Sequence, residues 1–282
     1  MFGDPAFDEF FRKTIHAMRP YLGDIICIGG CANALYRFHE YASSSTPAYI
    51  GTKDSDWAVP GHLPLRSPTH LAGIMKEAGF VEELKGTASE PIITYKLEHS
   101  DDGTEIEFLC PLSGMSGGRK QAKTSVEVQT GLMAQPLRYL DILTKHPWLV
   151  DLGKAPEFTE LARVMVRVPN PAAYVVQKVL IRDQRRKTES KAKDCYYIYE
   201  VSVVFRDNLT ALRGEYEALQ DLPGPWLRRF SKEIRILFSD EHAEGPTSAL
   251  DVYNGAKVSG PRLSADMIHR ATSKLLDSLG IP

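Results

Sequence analysis

The order in which glycines and carboxylates follow one another limits this chain more than any other feature. Asp24 to Ile28 reads as a short buried strand that ends in Gly29-Gly30, and Cys31 to Glu40 reads as the helix that follows. About two dozen residues later, Gly51 to Val59 alternates as a strand and carries Thr52-x-Asp54-x-Asp56. Ile92 to Leu97 and Glu105 to Leu109 flank Ser-Asp-Asp-Gly103, a hairpin signal, and the second of these strands holds Ile106-Glu107-Phe108. A glycine pair alone is an ordinary turn, and Asp-x-Asp alone is an ordinary solvated strand face. Their succession is what narrows the choice.

Two residues apart on a strand, Asp54 and Asp56 lie on one face, roughly 7 Å apart at the backbone. If the Glu107 strand lies beside theirs, three carboxylates converge within one or two inter-strand spacings of about 5 Å. Glu105 shares the face of Glu107 and is its rival as the third carboxylate. Such a set suits two Mg²⁺ ions about 4 Å apart, which bridge a triphosphate and an attacking hydroxyl. Bare glycine backbone at a helix start lets phosphate oxygens approach N–H groups. Thr52 adds a hydroxyl to the site or orders the strand.

Other chemistries lack their patterns. The eight histidines are scattered, with no His-x-x-x-His, and neither Ser nor Cys sits in a nucleophile elbow. Gly29-Gly30 is not a G-x-G-x-x-G fingerprint, and no phosphate-loop lysine follows it. Cys27, Cys31, Cys110 and Cys195 form no C-x-x-C pair, which speaks against a zinc ribbon or disulfide framework and for reduced thiols in a cytoplasm. Asp4, Asp8 and Glu9 occupy the place of a signal peptide's basic start, and no apolar run approaches 18 residues, so neither export nor membrane spanning is expected. With 34 Lys+Arg against 36 Asp+Glu and a net charge of −2, no blanket affinity for nucleic acid, DNA included, is expected.

The 282 residues allow one large domain or two ordinary ones. Asp4-Pro5 opens a docking helix with Phe7, Phe10, Phe11, Ile15 and Met18 on one face, and Ser67-Pro68 opens a helix to Ala78 capped by Gly79. Tyr41 to Pro47 reads as a loop. Ser113 to Lys123 reads as a flexible segment with Arg119, Lys120 and Lys123. From Asn170-Pro171 the signals turn helical, with further helices over Leu209 to Leu219, Pro225 to Phe238 and Ser264 to Leu279. The expected organisation is therefore a mixed α/β domain over 1–168 and a mostly helical domain over 169–282. Residues 182–193 carry a local excess of four positive charges, suited to triphosphate or a nucleic-acid backbone and equally to a solvated helix end. Lys178 interrupts the apolar face of Tyr174, Val175, Val179 and Ile181, either for a pointed role or as a snorkelling side chain at the core edge.

Gly29-Gly30, Asp54-Ser-Asp56 and Glu107 resemble the pattern of the DNA polymerase beta-like nucleotidyltransferase superfamily: a glycine pair opening a helix, a [DE]-x-[DE] strand and a later lone-carboxylate strand. Within it the chain looks like bacterial proteins described as having a nucleotidyltransferase fold, and more distantly like abortive-infection toxin nucleotidyltransferases. Residues 166–194 are similar to the helical segment that those families place after the catalytic core, where a helix lysine and a downstream Lys-Asp face the nucleotide phosphates. The matching positions are Lys178, Lys193 and Asp194. Two departures stand out. Ile50-Gly51 occupies the place where the toxin-like relatives usually carry arginine, and the third carboxylate is Glu where Asp is common.

The resemblance implies an α/β (α+β) fold, a nucleotidyltransferase-like mixed sheet with flanking helices, and an active-site cleft against the helical region. It implies that Asp54, Asp56 and Glu107 bind two Mg²⁺ ions. Gly29, Gly30, Thr52, Lys178, Lys193 and Asp194 would then receive the NTP, whose nucleoside monophosphate passes to an acceptor hydroxyl of RNA, protein or a small molecule with loss of pyrophosphate. Two alternatives stay open: a non-catalytic nucleotide- or partner-binding protein of the same fold, and a toxin-type enzyme acting on RNA through the basic stretch near Arg185 and Lys191.

Overall fold

The computed structural model describes residues 4–44, 46, 49–87, 90–99, 103–112, 125–185, 187–256 and 262–281. The chain divides into two compact units, one of residues 1–32 and 51–168, the other of 33–50 and 169–282. Residues 33–50 thus count with the C-terminal helices, a grouping that the order of elements along the chain does not display.

The first unit opens with α1 (Pro5–Met18), where the Asp4 carboxylate accepts the Ala6 N–H at 3.0 Å and Pro5 takes a first-turn position. Strand β1 (Ile26–Ile28) runs directly into α2 (Gly29–Leu35). The helix expected through Glu40 ends at Leu35 and tightens into a 3₁₀ turn over Tyr36–Phe38. There follow β2 (Asp54–Ala58), α3 (Leu71–Glu77), β3 (Phe80–Thr87), β4 (Glu90–Leu97), β5 (Glu105–Pro111), β6 (Val126–Gln129), β7 (Leu132–Leu137), α4 (Leu140–Leu143), β8 (Trp148–Asp151) and β9 (Met165–Val168).

The main sheet runs β1-β2-β5-β4-β3. β2 and β5 are parallel, and all other pairs along this path are antiparallel. A parallel pair needs a crossover, here supplied by α3, β3 and β4. β2 covers one edge of β5, while the other is shared by β4 at Ile106 and Glu107 and by β7 from Leu109 to Pro111. β8 and β9 form a separate antiparallel pair.

One face of the main sheet is apolar and packs under α1. Trp57 and Phe108 are register partners, both buried. Phe11 stacks on Trp57 at a centroid distance of 6.4 Å, and Phe10 meets Phe80 edge-on at 6.0 Å. Each such fully buried ring contributes about 1.5–3 kcal/mol. Strict alternation along β2 and β5 turns Asp54, Asp56, Glu105 and Glu107 to the opposite face.

Three differences from the sequence reading have physical reasons. Helix α3 starts at Leu71 rather than at Ser67-Pro68, because the Leu71 N–H is taken at 2.7 Å by the side-chain carbonyl of Gln129, a tertiary partner that no local pattern announces. β3 has the composition of a polar helix, Val-Glu-Glu-Leu-Lys, and becomes a strand by pairing with β4 over Phe80–Thr87. Strands β6 to β9 span only four to six residues each, too few for a local pattern to announce them. The basic segment 113–124, the hairpin turn at 100–102, Arg186 and part of the serine loop lie outside the described residues.

The second unit is helical: α5 (Pro171–Leu180), α6 (Thr188–Val204), α7 (Leu209–Glu217), α8 (Gly224–Leu237), α9 (Glu244–Gly255) and α10 (Ala265–Ser278). Asn170 caps α5 by accepting the Ala173 N–H at 2.8 Å. α5 is buried along its whole length, with α6, α7 and α8 packed on it, and α9 and α10 pack on α6. Residues 33–50 join through Tyr36, whose ring meets Tyr174 and Phe205 at 5.6 and 5.5 Å and whose hydroxyl donates to the Pro169 carbonyl at 2.9 Å. Arg37 pairs with the fully buried Glu200. The four cysteines are buried and unpaired. Among the described residues no helix is long and apolar enough to cross a membrane.

Candidate active site

Gly29 is the pivot between β1 and α2. Its φ of +64° lies in the left-handed region, and a Cβ there would stand 2.1 Å from the Asp56 Oδ2. Bare backbone at this position is what lets the Asp56 carboxylate rest against the turn. Ile28 is the antiparallel register partner of Asp56, so the strand pairing itself brings turn and carboxylate together.

The parallel register of β2 and β5 pairs Asp54 with Glu105 and Asp56 with Glu107. Paired residues share a face, so four carboxylates form two adjoining rows. Glu107 forms no ion pair or side-chain hydrogen bond with the described residues. Burial, reinforced by the charges of Asp56, Glu105 and Asp54 and partly relieved by Lys85, pushes its carboxyl up to about 8. Glu105 differs, because the Lys85 ammonium of β3 binds its carboxylate. Lys85 also lies 3.6 Å from Glu83, and Glu83 takes Lys96 at 2.8 Å. Lys85 went unread in the sequence because β3 did, and Lys96, on the expected strand β4, because its partner Glu83 lies on β3. The signal of β3 was the period-2 spacing of Val81, Glu83 and Lys85.

Two hydroxyls complete this face. Thr52 Oγ1 accepts the Asp54 N–H at 3.4 Å and lies 3.3 Å from the Asp54 carbonyl, and so orders the start of β2. Thr94 is the direct cross-strand partner of Glu107, fully buried, and its hydroxyl has no hydrogen-bond partner among the described residues. Below Asp54, the buried Cys31 thiol donates to the Asp54 carbonyl at 3.3 Å, and burial first, then neighbouring Cys27, holds this thiol protonated.

Carboxylate oxygens are the donors that Mg²⁺ prefers. Like charges gathered around an unpaired Glu107 are a configuration that a divalent cation stabilises. The donor chemistry and the bare-backbone contact of Gly29 with Asp56 both fit such an ion, although among the described residues no three His, Cys, Asp or Glu side chains converge as a ready-made ligand set. Neither of two sizeable concavities, of about 590 and 720 Å³, is lined by these carboxylates.

In the second unit, Lys178 is 4% exposed, with its Nζ 3.0 Å from Asp194 Oδ1 and 5.1 and 5.2 Å from the ring centres of Tyr174 and Tyr197. Asp194 also accepts from Arg185 Nε at 3.1 Å. Lys193 points outward and is exposed. The basic stretch is partly consumed internally: Arg182 pairs with Glu244 and donates to the Lys191 carbonyl at 2.9 Å, and Arg185 is held by Asp194. Of the candidate residues, then, Gly29, Gly30, Thr52, Asp54, Asp56 and Glu107 belong to the first unit, and Lys178, Lys193 and Asp194 to the second.

A family model described as nucleotidyltransferase matches residues 15–220, a span from α1 to the turn after α7 that includes every candidate residue. No curated protein matches the chain.

Proposed function

The chain belongs to this nucleotidyltransferase family, and from that premise we propose that it transfers a nucleoside monophosphate from an NTP to an acceptor hydroxyl with release of pyrophosphate. The observation that carries the reading is the β2–β5 register, which aligns Asp56 with Glu107 on the face opposite the core while the Gly29 backbone touches Asp56. Asp54, Asp56 and Glu107 are the residues that would hold two divalent cations. Bound there, the ions supply charge neutralisation to the triphosphate and to the developing alkoxide.

This chain's own residues then have distinct tasks. Asp54 and Asp56, fixed two apart on one strand, set the spacing of the carboxylate oxygens that would hold the cations. Gly29 and Gly30 allow the phosphates to approach bare backbone. Glu107 accepts a hydrogen bond from the acceptor hydroxyl and takes its proton as the oxygen bonds to the α-phosphorus and the bond to the β-phosphate oxygen breaks. Lys85, by holding Glu105, keeps the second glutamate of β5 out of competition with Glu107. Within the second unit, Lys178 is matched by Asp194 and so fixes the α5–α6 packing, while Lys193 on α6 stays exposed.

Incubation with α-labelled NTPs, Mg²⁺ and pools of RNA, protein or small-molecule acceptors tests this reading. The expected result is a labelled acceptor with pyrophosphate in equal amount. Transfer undiminished in Asp54→Ala/Asp56→Ala protein would sink the assignment of the site, and absence of any transfer or pyrophosphate release would favour a non-catalytic binding protein.

A further inference from the structure

Helix α8 carries a row of cations that the rest of the second unit does not neutralise. Arg228, Lys232 and Arg235 follow at i, i+4 and i+7, so they share one side of the helix over a length of about 10 Å. All three are exposed, and none forms an ion pair or hydrogen bond with a described residue. Every other arginine discussed in this unit is spoken for: Arg182 by Glu244, Arg185 by Asp194, Arg213 by Glu217, Arg229 by Asp183 and Glu233, Arg270 by Asp266. The unpaired row also borders an open concavity of about 590 Å³, lined besides the cations by the buried Tyr216 and Leu227, by Gln220 and Ser231, and by the exposed Ile236. No carboxylate lines it. On a chain with a net charge of −2, such a local row persists only at the cost of mutual repulsion.

We infer that this groove binds the sugar–phosphate backbone of a single-stranded nucleic acid. Two of the three cations are arginines, whose planar guanidinium matches phosphate oxygens bidentately. A row about 10 Å long meets a repeating anion at several points, which a single headgroup or lone carboxylate does not exploit. Gln220 and Ser231 offer neutral donors and acceptors to sugar and base edges, while Tyr216, 8% exposed, is too buried to serve as a stacking platform. Binding is therefore backbone-directed, tolerant of sequence and dependent on salt. The cation row lies beyond residue 220, outside the span matched by the family, and does not depend on the transfer reaction.

The test is fluorescence anisotropy with the full-length protein and a labelled single-stranded RNA of about 12 nucleotides, a length within the usual site size. The slope of log K against log salt should be near −2, from three contacts at about −0.7 each. Arg228→Gln/Lys232→Gln/Arg235→Gln should weaken binding at least tenfold and flatten that slope, with an unchanged thermal midpoint because the three side chains are exposed. A control with equal charge loss at exposed lysines elsewhere, Lys13→Gln/Lys154→Gln/Lys274→Gln, should bind as wild type. Equal weakening in both triple variants, no weakening in the α8 variant, or an α8-dependent preference for polyglutamate or for phosphatidylserine vesicles over RNA would each overturn the inference.

Discussion

Gly29 and Glu107 show how much rests on single residues. Gly29→Ala meets two penalties at once, a left-handed φ and an Asp56 oxygen 2.1 Å from the new Cβ. A left-handed non-glycine residue costs about 1–3 kcal/mol, and the displaced Asp56 adds to it. The expected outcome is a lower denaturation midpoint together with loss of nucleotide transfer. Glu107 makes a pH-dependent contribution of definite sign. Its folded carboxyl titrates near 8 against 4.5 for the ordinary group, so the folded protein binds the extra proton between those values. Stability from this group is present below about pH 4.5 and is lost as pH rises toward 8. Without divalent ions, the denaturation midpoint of wild type should therefore fall relative to Glu107→Gln as pH is raised from 5 to 8.5. Mg²⁺ should raise the wild-type midpoint by mass action and leave Asp54→Ala/Asp56→Ala unmoved. A wild-type midpoint that ignores Mg²⁺ at millimolar concentration would remove the metal from the scheme. At this scale the shared face of Asp54 and Asp56 was legible, because period-2 spacing is local. Which glutamate of β5 is ion-paired was not, since it turns on Lys85, twenty residues from Glu105 along the chain and two strands across the sheet.

At the scale of elements, helices α5 and α6 are coupled by a buried ion pair. Lys178 and Asp194 are each almost fully buried, and Asp194 keeps Arg185 as a second partner, so removing Asp194 is what deprives a buried charge of its ion pair. Asp194→Asn should destabilise by about 3–5 kcal/mol in urea titration, and adding Lys178→Met should restore a good part of the loss. If the single and double variants lose stability additively, the pair is not the unit described here. The first unit has a parallel case in β3, which became visible only through pairing. Its Glu-Glu-Leu-Lys run has no apolar alternation long enough to announce a strand, and the pairing with β4 decides the outcome. The starts of three helices divide in the same way. Asp4 and Asn170 cap α1 and α5 from neighbouring sequence, and both starts were legible. The start of α3 rests on Gln129, and the local Ser-Pro signal misplaced it.

For the molecule as a whole, the grouping of residues 33–50 with 169–282 has an experimental consequence. A fragment of 169–282 lacks Tyr36, which packs on Tyr174 and Phe205, and Arg37, the partner of buried Glu200. Left with an uncompensated buried carboxylate, it should show no cooperative unfolding transition by circular dichroism, and Glu200→Leu in the fragment should recover part of it. The sequence by itself determined the order strand, glycine turn, helix, Asp-x-Asp strand and glutamate strand, the helical character of the C-terminal third, and the family to which these features belong. Those are properties of short windows, in which backbone propensity, alternation and chain order suffice. Tertiary structure alone decided which strand lies beside which, that Lys85 takes Glu105 and leaves Glu107 unpaired, that Arg182 and Arg185 of the basic stretch are spent on internal ion pairs, and that Arg228, Lys232 and Arg235 on α8 are not. Charge pairing across strands and helices depends on distances between residues far apart in the chain, and the near-neutral total of the composition contains none of them.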